Sequence, residues 1–175
     1  MAGRRMDLAR YIRSVPDWPK PGILFRDITP LLADPVAFAA AIKALCREFP
    51  KGTIDIVAAV EARGFIFGSA VAERLKVGLV PIRKKGKLPF ETQQITYDLE
   101  YGTDTLEVHV DAVRKGARVL LVDDLLATGG TMRAACSLIE KVGGTVAGVT
   151  FLVELTDLGG RAKLAGRKVS SAITY

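Results

Sequence analysis

The sequence predicts a doubly wound α/β domain, in which a mostly parallel sheet carries helices on both faces. Apolar runs of strand length alternate with helical segments, as they do in βαβ units. The strand-like runs are IDIVAAV, VGLVPI, RVLLVDD and TVAGVTFLVEL, and the helical segments are FIFGSAVAERL and TMRAACSLIEKV. The chain has 175 residues, of which 49% are hydrophobic, so we expect a single domain over residues 1–175.

The segment of residues 1–34 departs from this alternation. A short helical pattern at residues 6–14 precedes the proline-rich PDWPKPG and then ILFRDITPLL, which we expect to be extended. We interpret this irregular opening as an N-terminal flap. With Asp34 as N-cap and Pro35 at the first helical position, a helix is then predicted to run to about Phe49.

Charge and hydropathy restrict the class of protein. The net charge of +6 indicates an anionic partner, which is either nucleic acid or a small phosphorylated molecule. The basic start MAGRRMDLAR has no apolar segment of the kind found in secretion signals. No run of the sequence approaches the ~18 apolar residues of a membrane span. We therefore expect a soluble, cytoplasmic protein that does not associate with membranes.

The few cysteines and histidines argue against several kinds of site. Cys46 and Cys136 lie far apart on predicted helices, which disfavours a disulfide framework or a thiolate metal site and indicates two buried thiols. A zinc site with two histidines needs more than His109, the one histidine of the chain. His109 also lies in the strand-like LEVHV with no nucleophile motif nearby, so we expect an ordinary strand residue rather than a triad member.

The sharpest motif is VLLVDDLLATGGT, residues 119–131. It places Asp123 and Asp124 at the carboxyl edge of a predicted strand, where ligands bind in sheets of this type. The glycine-threonine loop that follows suits a phosphate, and we expect Thr131 to cap a helix that starts at Met132 and ends at Gly143. The candidate phosphate ligands are the loop residues Ala127, Thr128, Gly129, Gly130 and Thr131.

The loop and the two carboxylates together indicate a particular ligand. Acidic residues, threonines and glycines are also ordinary turn formers, and the loop has neither the lysine of a P-loop nor the dinucleotide fingerprint. A ribose 5-phosphate satisfies both halves, because its phosphate suits the N–H groups and its 2- and 3-hydroxyls can donate to Asp123 and Asp124. Magnesium bound to the sugar would further neutralise the carboxylates.

Several stretches together resemble the type I phosphoribosyltransferases, and most closely the members that act on adenine. They are VDDLLATGGTM, FRDITPLL, RGFIFG, RKKGKLP and LEYG, and the resemblance extends from about Val15 to the C-terminal SSAITY. It implies that adenine and phosphoribosyl pyrophosphate are converted to AMP and pyrophosphate. It also implies Mg²⁺, carried by the substrate and bridged by water to Asp123 and Asp124 rather than bound directly.

The second motif is VEARGF, residues 60–65, which follows the strand-like IDIVAAV. Arg63 and Gly64 are expected at a strand-helix turn, with the helix starting near Phe65. The resemblance implies that this turn binds pyrophosphate and that Arg63 also lies against adenine. Taken alone, the motif is better explained by Arg63 as a surface arginine and Gly64 as a steric necessity, and only the first motif at the neighbouring strand end favours a binding role.

The third feature is the basic run Arg83, Lys84, Lys85 and Lys87. A basic run is by default a solvated face, and its aromatics are few for a surface that stacks nucleic-acid bases. Pyrophosphate is the simpler partner, bound by Arg83, Lys84 and Lys87. In related transferases a residue from this region crosses a dimer interface, so the resemblance implies a homodimer with Arg83 in that role.

The remaining assignments concern the purine. The segment through Tyr101 resembles a loop that closes over the reaction. Glu100 is our candidate for proton transfer to and from the ring, because Asp123 and Asp124 serve the ribose and Glu61 lies in the pyrophosphate loop; Tyr101 beside it would shield the site. The resemblance implies that main-chain groups of Leu24 and Arg26 hold adenine, with Leu24 and Phe25 against one ring face.

Two alternatives remain open at the level of sequence. A transferase for a 6-oxopurine such as hypoxanthine, guanine or xanthine differs only in base choice. A regulator that senses phosphoribosyl pyrophosphate while binding DNA would need a helix-turn-helix module, for which the sequence has no room. We therefore expect no nucleic-acid partner.

Overall fold

The structure is a computed structural model that describes residues 6–98 and 102–175. The chain forms two compact units, Met1–Ala44 and Leu45–Tyr175. The single domain expected over residues 1–175, with residues 1–34 as a flap at the base site, stays a prediction. Among the helices of the described ranges, none has both the length and the apolar character needed to cross a membrane.

The first unit contains a small antiparallel sheet and short helices. Its elements are a 3-10 helix Leu8–Tyr11, β1 Arg13–Pro16, β2 Leu24–Asp27, α1 Thr29–Ala33 and α2 Pro35–Leu45. Strand β1 pairs with β2, and the ring of Trp18 in the connection packs edge-on against Phe25 at 4.3 Å between centroids.

Three local predictions for this region need correction. The helix predicted at residues 6–14 is only a single 3-10 turn, because the following residues pair with β2 instead. ILFRDITPLL is extended only in its first half, and its second half is helix α1. Asp34 does accept N–H groups of Val36 and Ala37, as predicted for an N-cap, but α2 ends at Leu45 rather than near Phe49.

The second unit is built on a seven-stranded sheet with the order β5-β6-β4-β3-β7-β8-β9. Five neighbouring strands, from β4 to β9 in that order, run parallel, and the β5-β6 hairpin continues the sheet antiparallel at one edge. The strands are β3 Ile56–Val60, β4 Gly78–Lys84, β5 Thr92–Asp98, β6 Thr103–His109, β7 Arg118–Leu126, β8 Thr145–Glu154 and β9 Val169–Thr174.

Helices α3 Arg63–Leu75 and α4 Gly130–Lys141 cover the sheet from opposite faces. Ala58 of β3 belongs to a buried cluster that includes Leu138 of α4. The next residue, Ala59, faces α3, because a Cβ added at Gly68 would come within 2.5 Å of the Ala59 Cβ. Successive residues of one strand therefore face different helices, which confirms the predicted α/β class.

The segment after the basic run is more regular than predicted. It was expected to be a loop through Tyr101, but residues Thr92–Asp98 form β5, which pairs along its whole length with β6. His109 ends β6, as expected of a strand residue. Cys46 and Cys136 are buried free thiols, which confirms their interpretation; Cys46, however, lies just beyond the end of α2.

Candidate functional site

A cavity of about 450 Å³ opens at the carboxyl ends of β3 and β7. It is lined by the turn between β3 and α3, by the end of β7 and by the loop that leads into α4. Glu61, Arg63, Asp123 and Asp124 all line it, together with residues 127–131. The two motifs singled out in the sequence therefore meet in one cavity, at the sheet edge where ligands of doubly wound folds bind.

The acidic pair belongs to strand β7 rather than to its edge. β7 continues to Leu126, two residues beyond the pair, because it keeps pairing with β8. The backbone N–H of Asp124 donates to Oδ1 of Asp123 over 2.9 Å. The side chain of Asp124 is buried and that of Asp123 is half-buried.

Arg63 is the first residue of α3, and its Nε lies 2.8 Å from Oδ2 of Asp124. The turn before the helix is therefore Glu61 and Ala62, joined by a cis peptide bond, and not Arg63 and Gly64 as predicted. A Cβ added at Gly64 would come within 2.7 Å of Asp123 Oδ1. Gly64 is thus needed for the close approach of α3 to the acidic pair.

Burial controls the protonation of this pair. Burial raises the pKa of Asp123, and the negative charge of Asp124 raises it further. Burial also raises the pKa of Asp124, although the Arg63 guanidinium acts in the opposite direction. Two adjacent carboxylates, one buried and one half-buried, are costly to ionise together, so a ligand that offers hydroxyl donors or positive charge at this place is stabilised.

The loop after β7 presents the amino end of α4 to the cavity. Gly129, with φ of 77°, is the N-cap, and α4 begins at Gly130, so the predicted cap at Thr131 is wrong. No side chain of the described residues caps this helix, and its first turn contains no acidic residue. The hydroxyl of Thr131 donates to Tyr97 OH over 3.2 Å instead. The first N–H groups of α4 remain suited to an anion.

The two glycines of the loop have different surroundings. A Cβ at Gly129 would lie 2.4 Å from the carbonyl oxygen of Gly160, whereas one at Gly130 would meet its nearest neighbour, Asp98 O, at 3.6 Å. The close approach in this structure is therefore between Gly129 and Gly160. Gly160 was not identified from the sequence, although the pair Gly159 and Gly160 offered a signal.

The basic run is held by Glu61, whose side chain is buried at the end of the β3 turn. Glu61 accepts hydrogen bonds from Lys87 Nζ at 3.0 Å, from Arg83 Nη2 at 3.3 Å and from the backbone N–H of Lys84. Burial disfavours its charge, but these three donors hold the pKa of Glu61 below its usual value. Glu61 thus brings Arg83, Lys84 and Lys87 next to the cavity. The sequence predicted only that Glu61 lies in the pyrophosphate loop, and not these contacts.

The other contacts of the basic run differ from residue to residue. Lys84 turns its ammonium group to Asp104, with Nζ 3.0 Å from Oδ2, and both residues line the cavity. Arg83 donates a further hydrogen bond to the carbonyl of Lys87 over 3.1 Å. Its Nε atom is buried and has no hydrogen-bond partner within the described ranges.

A second buried carboxylate, Glu107 of β6, orders the same turn. It is 2% exposed, and one of its oxygens accepts the backbone N–H groups of Lys87 and Leu88, each at 2.9 Å. Burial opposes its ionisation, but the N–H groups of Leu88, Gly86 and Lys87 hold the pKa of Glu107 below its usual value. No feature of the sequence indicates that this strand glutamate accepts hydrogen bonds from a distant turn.

The residues assigned to the purine lie elsewhere in the chain. Leu24, Phe25 and Arg26 follow one another on β2 in the first unit, with the side chain of Leu24 exposed and that of Arg26 donating to Ser14 Oγ over 2.6 Å. Glu100 and Tyr101 lie outside the described residues. Their assignment therefore stays a prediction.

Comparisons of sequence and of structure with known proteins all find phosphoribosyltransferases. Residues 29–175 match the model of the phosphoribosyl transferase domain. Adenine phosphoribosyltransferase of Rhodopirellula baltica is 54% identical over 172 residues, covering 98% of this chain and 84% of that protein. The crystal structure of adenine phosphoribosyltransferase from Thermoanaerobacter pseudethanolicus is 53% identical with a TM-score of 0.92, covering 96% of this chain and 98% of that one. The enzyme of Giardia lamblia, complexed with 9-deazaadenine, is 37% identical with a TM-score of 0.90, covering 97% and 96%.

Proposed function

The chain belongs to the adenine phosphoribosyltransferases of the phosphoribosyltransferase family, and we propose that the cavity at the ends of β3 and β7 holds its reacting groups. The reaction joins adenine to phosphoribosyl pyrophosphate and yields AMP and pyrophosphate. The observation that carries the assignment is the meeting of a buried and a half-buried carboxylate with an α4 amino end that is capped by no side chain of the described residues. A ribose 5-phosphate is the chemical unit that matches both.

The phosphate and the ribose have separate partners in this proposal. The 5-phosphate is bound by backbone N–H groups of Thr128, Gly129 and Gly130 and by the amide and hydroxyl of Thr131, with Ala127 at the loop entrance. The 2- and 3-hydroxyls of the ribose donate to Asp123 and Asp124. This contact offsets the cost of ionising the pair, because each hydroxyl adds a donor to those that Arg63 and the Asp124 N–H already supply.

We propose that the leaving pyrophosphate lies beside the turn after β3 and the basic run. Arg63, the Gly64 backbone, Arg83, Lys84 and Lys87 are the groups proposed to bind it. The support is the buried Glu61, which holds Arg83 and Lys87 next to the cavity by the hydrogen bonds described above. These cations stabilise the negative charge that develops as the bond between the anomeric carbon and the pyrophosphate oxygen breaks.

The new bond forms between N9 of adenine and the same anomeric carbon. Departure of pyrophosphate leaves positive charge on the ribose ring, and Asp123 and Asp124 lie where negative charge stabilises it. Glu100 takes the proton that leaves the purine ring, while Tyr101 helps to exclude water that would otherwise hydrolyse the sugar. Main-chain groups of Leu24 and Arg26 hold the base, with Leu24 and Phe25 against its face, and Arg63 also contacts the ring.

Mg²⁺ fits the site as an ion carried by the substrate. The described ranges contain no cluster of three or more His, Cys, Asp or Glu side chains able to hold a metal. Mg²⁺, however, commonly retains several waters and binds one or two carboxylates together with substrate phosphates. We propose that Asp123 and Asp124 would contact such an ion through water. When bound, it neutralises charge on the pyrophosphate.

Base choice is tested by comparing adenine, hypoxanthine and guanine at equal concentration with phosphoribosyl pyrophosphate and Mg²⁺. We expect AMP to form at least about 10²-fold faster than IMP or GMP, because a base held by groups matched to a 6-amino substituent rejects a 6-oxo group. Faster use of hypoxanthine or guanine would assign the site to 6-oxopurines. Binding of phosphoribosyl pyrophosphate with no turnover of any base would favour a sensor.

We also propose a cytoplasmic homodimer in which Arg83 lies near the partner's active site. The support is the resemblance of this basic run to the segment that crosses a dimer interface in related transferases, together with the Arg83 side chain, which is 34% exposed. Sedimentation velocity tests the assembly. Mixing an Arg83→Ala chain with an Asp124→Asn chain tests the placement, since restored activity requires sites built from two chains. Activity that falls linearly with the mutant fraction would mean that each site uses one chain.

A further inference from the structure

We infer that Gly160 and the ion pair between buried Glu154 and exposed Arg161 are positioning groups for the 5-phosphate loop. The inference rests on the proposed role of residues 127–131, and it concerns three residues with no part in that assignment. None of the three lines the cavity. They act by holding the outer side of the loop.

The first observation is a backbone contact too close for any side chain. A Cβ at Gly160 would lie 2.1 Å from the carbonyl oxygen of Ala127, and a Cβ at Gly129 would lie 2.4 Å from the carbonyl oxygen of Gly160. The turn at Gly160 thus contacts the backbone of the loop at both Ala127 and Gly129. A side chain at either position must displace backbone, and the displaced backbone carries the N–H groups proposed to bind phosphate.

The second observation is the anchor of the Gly160 turn. The adjacent residue, Arg161, makes a two-point ion pair with Glu154, with Nε 2.9 Å from Oε1 and Nη2 close to Oε2. Glu154 is 4% exposed and also accepts the hydroxyl of Ser171 at 2.6 Å. Arg161 further donates to the carbonyl of Val169 over 3.0 Å. The turn is therefore fixed to β8 and β9.

The third observation connects this anchor to the strand that precedes the loop. Glu154 is the last residue of β8 and pairs in register with Leu126, the last residue of β7. The N–H of Leu155 donates to the carbonyl of Leu126 over 2.9 Å. Both the start of the loop and the Gly160 turn that contacts it are thus bound to the end of β8, the first by backbone hydrogen bonds and the second by the ion pair. Such a frame sets the direction of the N–H groups, because sub-ångström errors in position weaken charge-assisted hydrogen bonds.

Binding of AMP and adenosine tests the inference, because the two ligands differ only in the 5-phosphate. The ratio of the adenosine Kd to the AMP Kd, measured by calorimetry, isolates the phosphate contribution. We expect Gly160→Ala to lower this ratio by about tenfold or more while the adenosine Kd changes less than about twofold. Gly144→Ala is the control for a crowded glycine outside the loop, since its Cβ would lie 2.8 Å from the Ile139 side chain at the far end of α4. It should leave the ratio unchanged.

A second variant covers the case in which Gly160→Ala does not fold. Arg161→Lys keeps the charge beside Glu154 but loses the two-point contact, and we expect a fall in the ratio of about threefold. Wild-type ratios in both folded variants, or in Arg161→Lys alone if Gly160→Ala is unfolded, would overturn the inference. In that case Thr131→Val shows which proposal has failed. A wild-type ratio in Thr131→Val as well would mean that the phosphate assignment is wrong. A lowered ratio in Thr131→Val would mean that only the positioning role is wrong.

Discussion

Nε of Arg63 lies 2.8 Å from Oδ2 of Asp124, so the first residue of α3 is joined to the acidic pair of β7. This ion pair connects the two motifs that stand far apart in the sequence. It also offsets part of the effect of burial, which raises the pKa of Asp124, because the guanidinium favours the ionised form of this carboxyl. The carboxylate and the arginine proposed for ribose and pyrophosphate therefore depend on each other.

Asp124→Asn should lower kcat by about 10²-fold or more, because an amide can hold a hydroxyl but cannot offset the positive charge that develops on the ribose. Initial rates at saturating substrates provide the measurement, with circular dichroism to verify the fold. The exposed Asp111→Asn is the matched control and should retain wild-type kcat. Near-normal turnover in folded Asp124→Asn would remove this residue from the mechanism.

Asp123→Asn should stabilise the protein at neutral pH while impairing its activity. The pKa of this carboxyl is about 3.9 in the unfolded chain and is raised in the fold. Its ionisation at a pH above the folded pKa therefore lowers the free energy of unfolding. The amide removes that cost. We expect Tm to rise by about 2–4 °C at pH 7 and this gain to disappear near pH 4, where the wild-type carboxyl is protonated in the fold. A Tm below that of the wild type at pH 7 would contradict the prediction.

Gly129→Ala and Gly130→Ala should differ in their effect on the KM for phosphoribosyl pyrophosphate. Alanine at Gly129 needs both an unfavourable φ and a contact of 2.4 Å with Gly160, whereas alanine at Gly130 meets only an ordinary contact at 3.6 Å. We expect an increase of about tenfold or more at Gly129 and less than about threefold at Gly130. The KM for adenine should change little in either variant. Equal effects at the two positions would show that the Gly160 contact does not shape the loop.

Glu107→Gln should raise the KM for phosphoribosyl pyrophosphate by about threefold to tenfold, although Glu107 does not line the cavity. A neutral amide accepts the N–H groups of Lys87 and Leu88 less strongly than a buried carboxylate, so the basic turn loses its fixed position. The exposed Glu91→Gln just before β5 is the control. If both variants match the wild type in KM, the turn orders itself without Glu107.

Glu100→Gln should depress kcat by about 10²-fold and leave binding of phosphoribosyl pyrophosphate almost unchanged, because glutamine cannot take the purine proton. Single-turnover experiments measure this step without interference from product release. Equal single-turnover rates for the wild type and the variant would leave proton transfer to water and reduce Glu100 to a residue of the closing segment.

Local patterns in the sequence were sufficient for the class of fold and for the centre of the site. Apolar runs of strand length and helical periodicity depend on neighbouring residues, so β3, β7, β8, α3 and α4 could be recognised without a structure. The adjacency of Asp123 and Asp124 at the end of an apolar run likewise predicted that both lie at the carboxyl edge of one strand, although β7 continues to Leu126. The rule that ligands bind beyond the carboxyl ends of parallel strands then located the cavity.

Only the tertiary structure decided which partners shape the site, since these are contacts between residues far apart in the chain. Three such contacts depend on how the strands lie side by side. They are the close approach of Gly160 to Gly129, the hydrogen bond of Arg83 to Glu61, and the hydrogen bond of the Lys87 N–H to Glu107. Thr131 has the residue type of an N-cap, yet the positive φ of Gly129 starts α4 two residues before Met132. Residues 6–14 have a helical pattern, yet pairing of β1 with β2 outweighs it. Propensity is a weak local preference, and long-range hydrogen bonds and close packing exceed it wherever the two conflict.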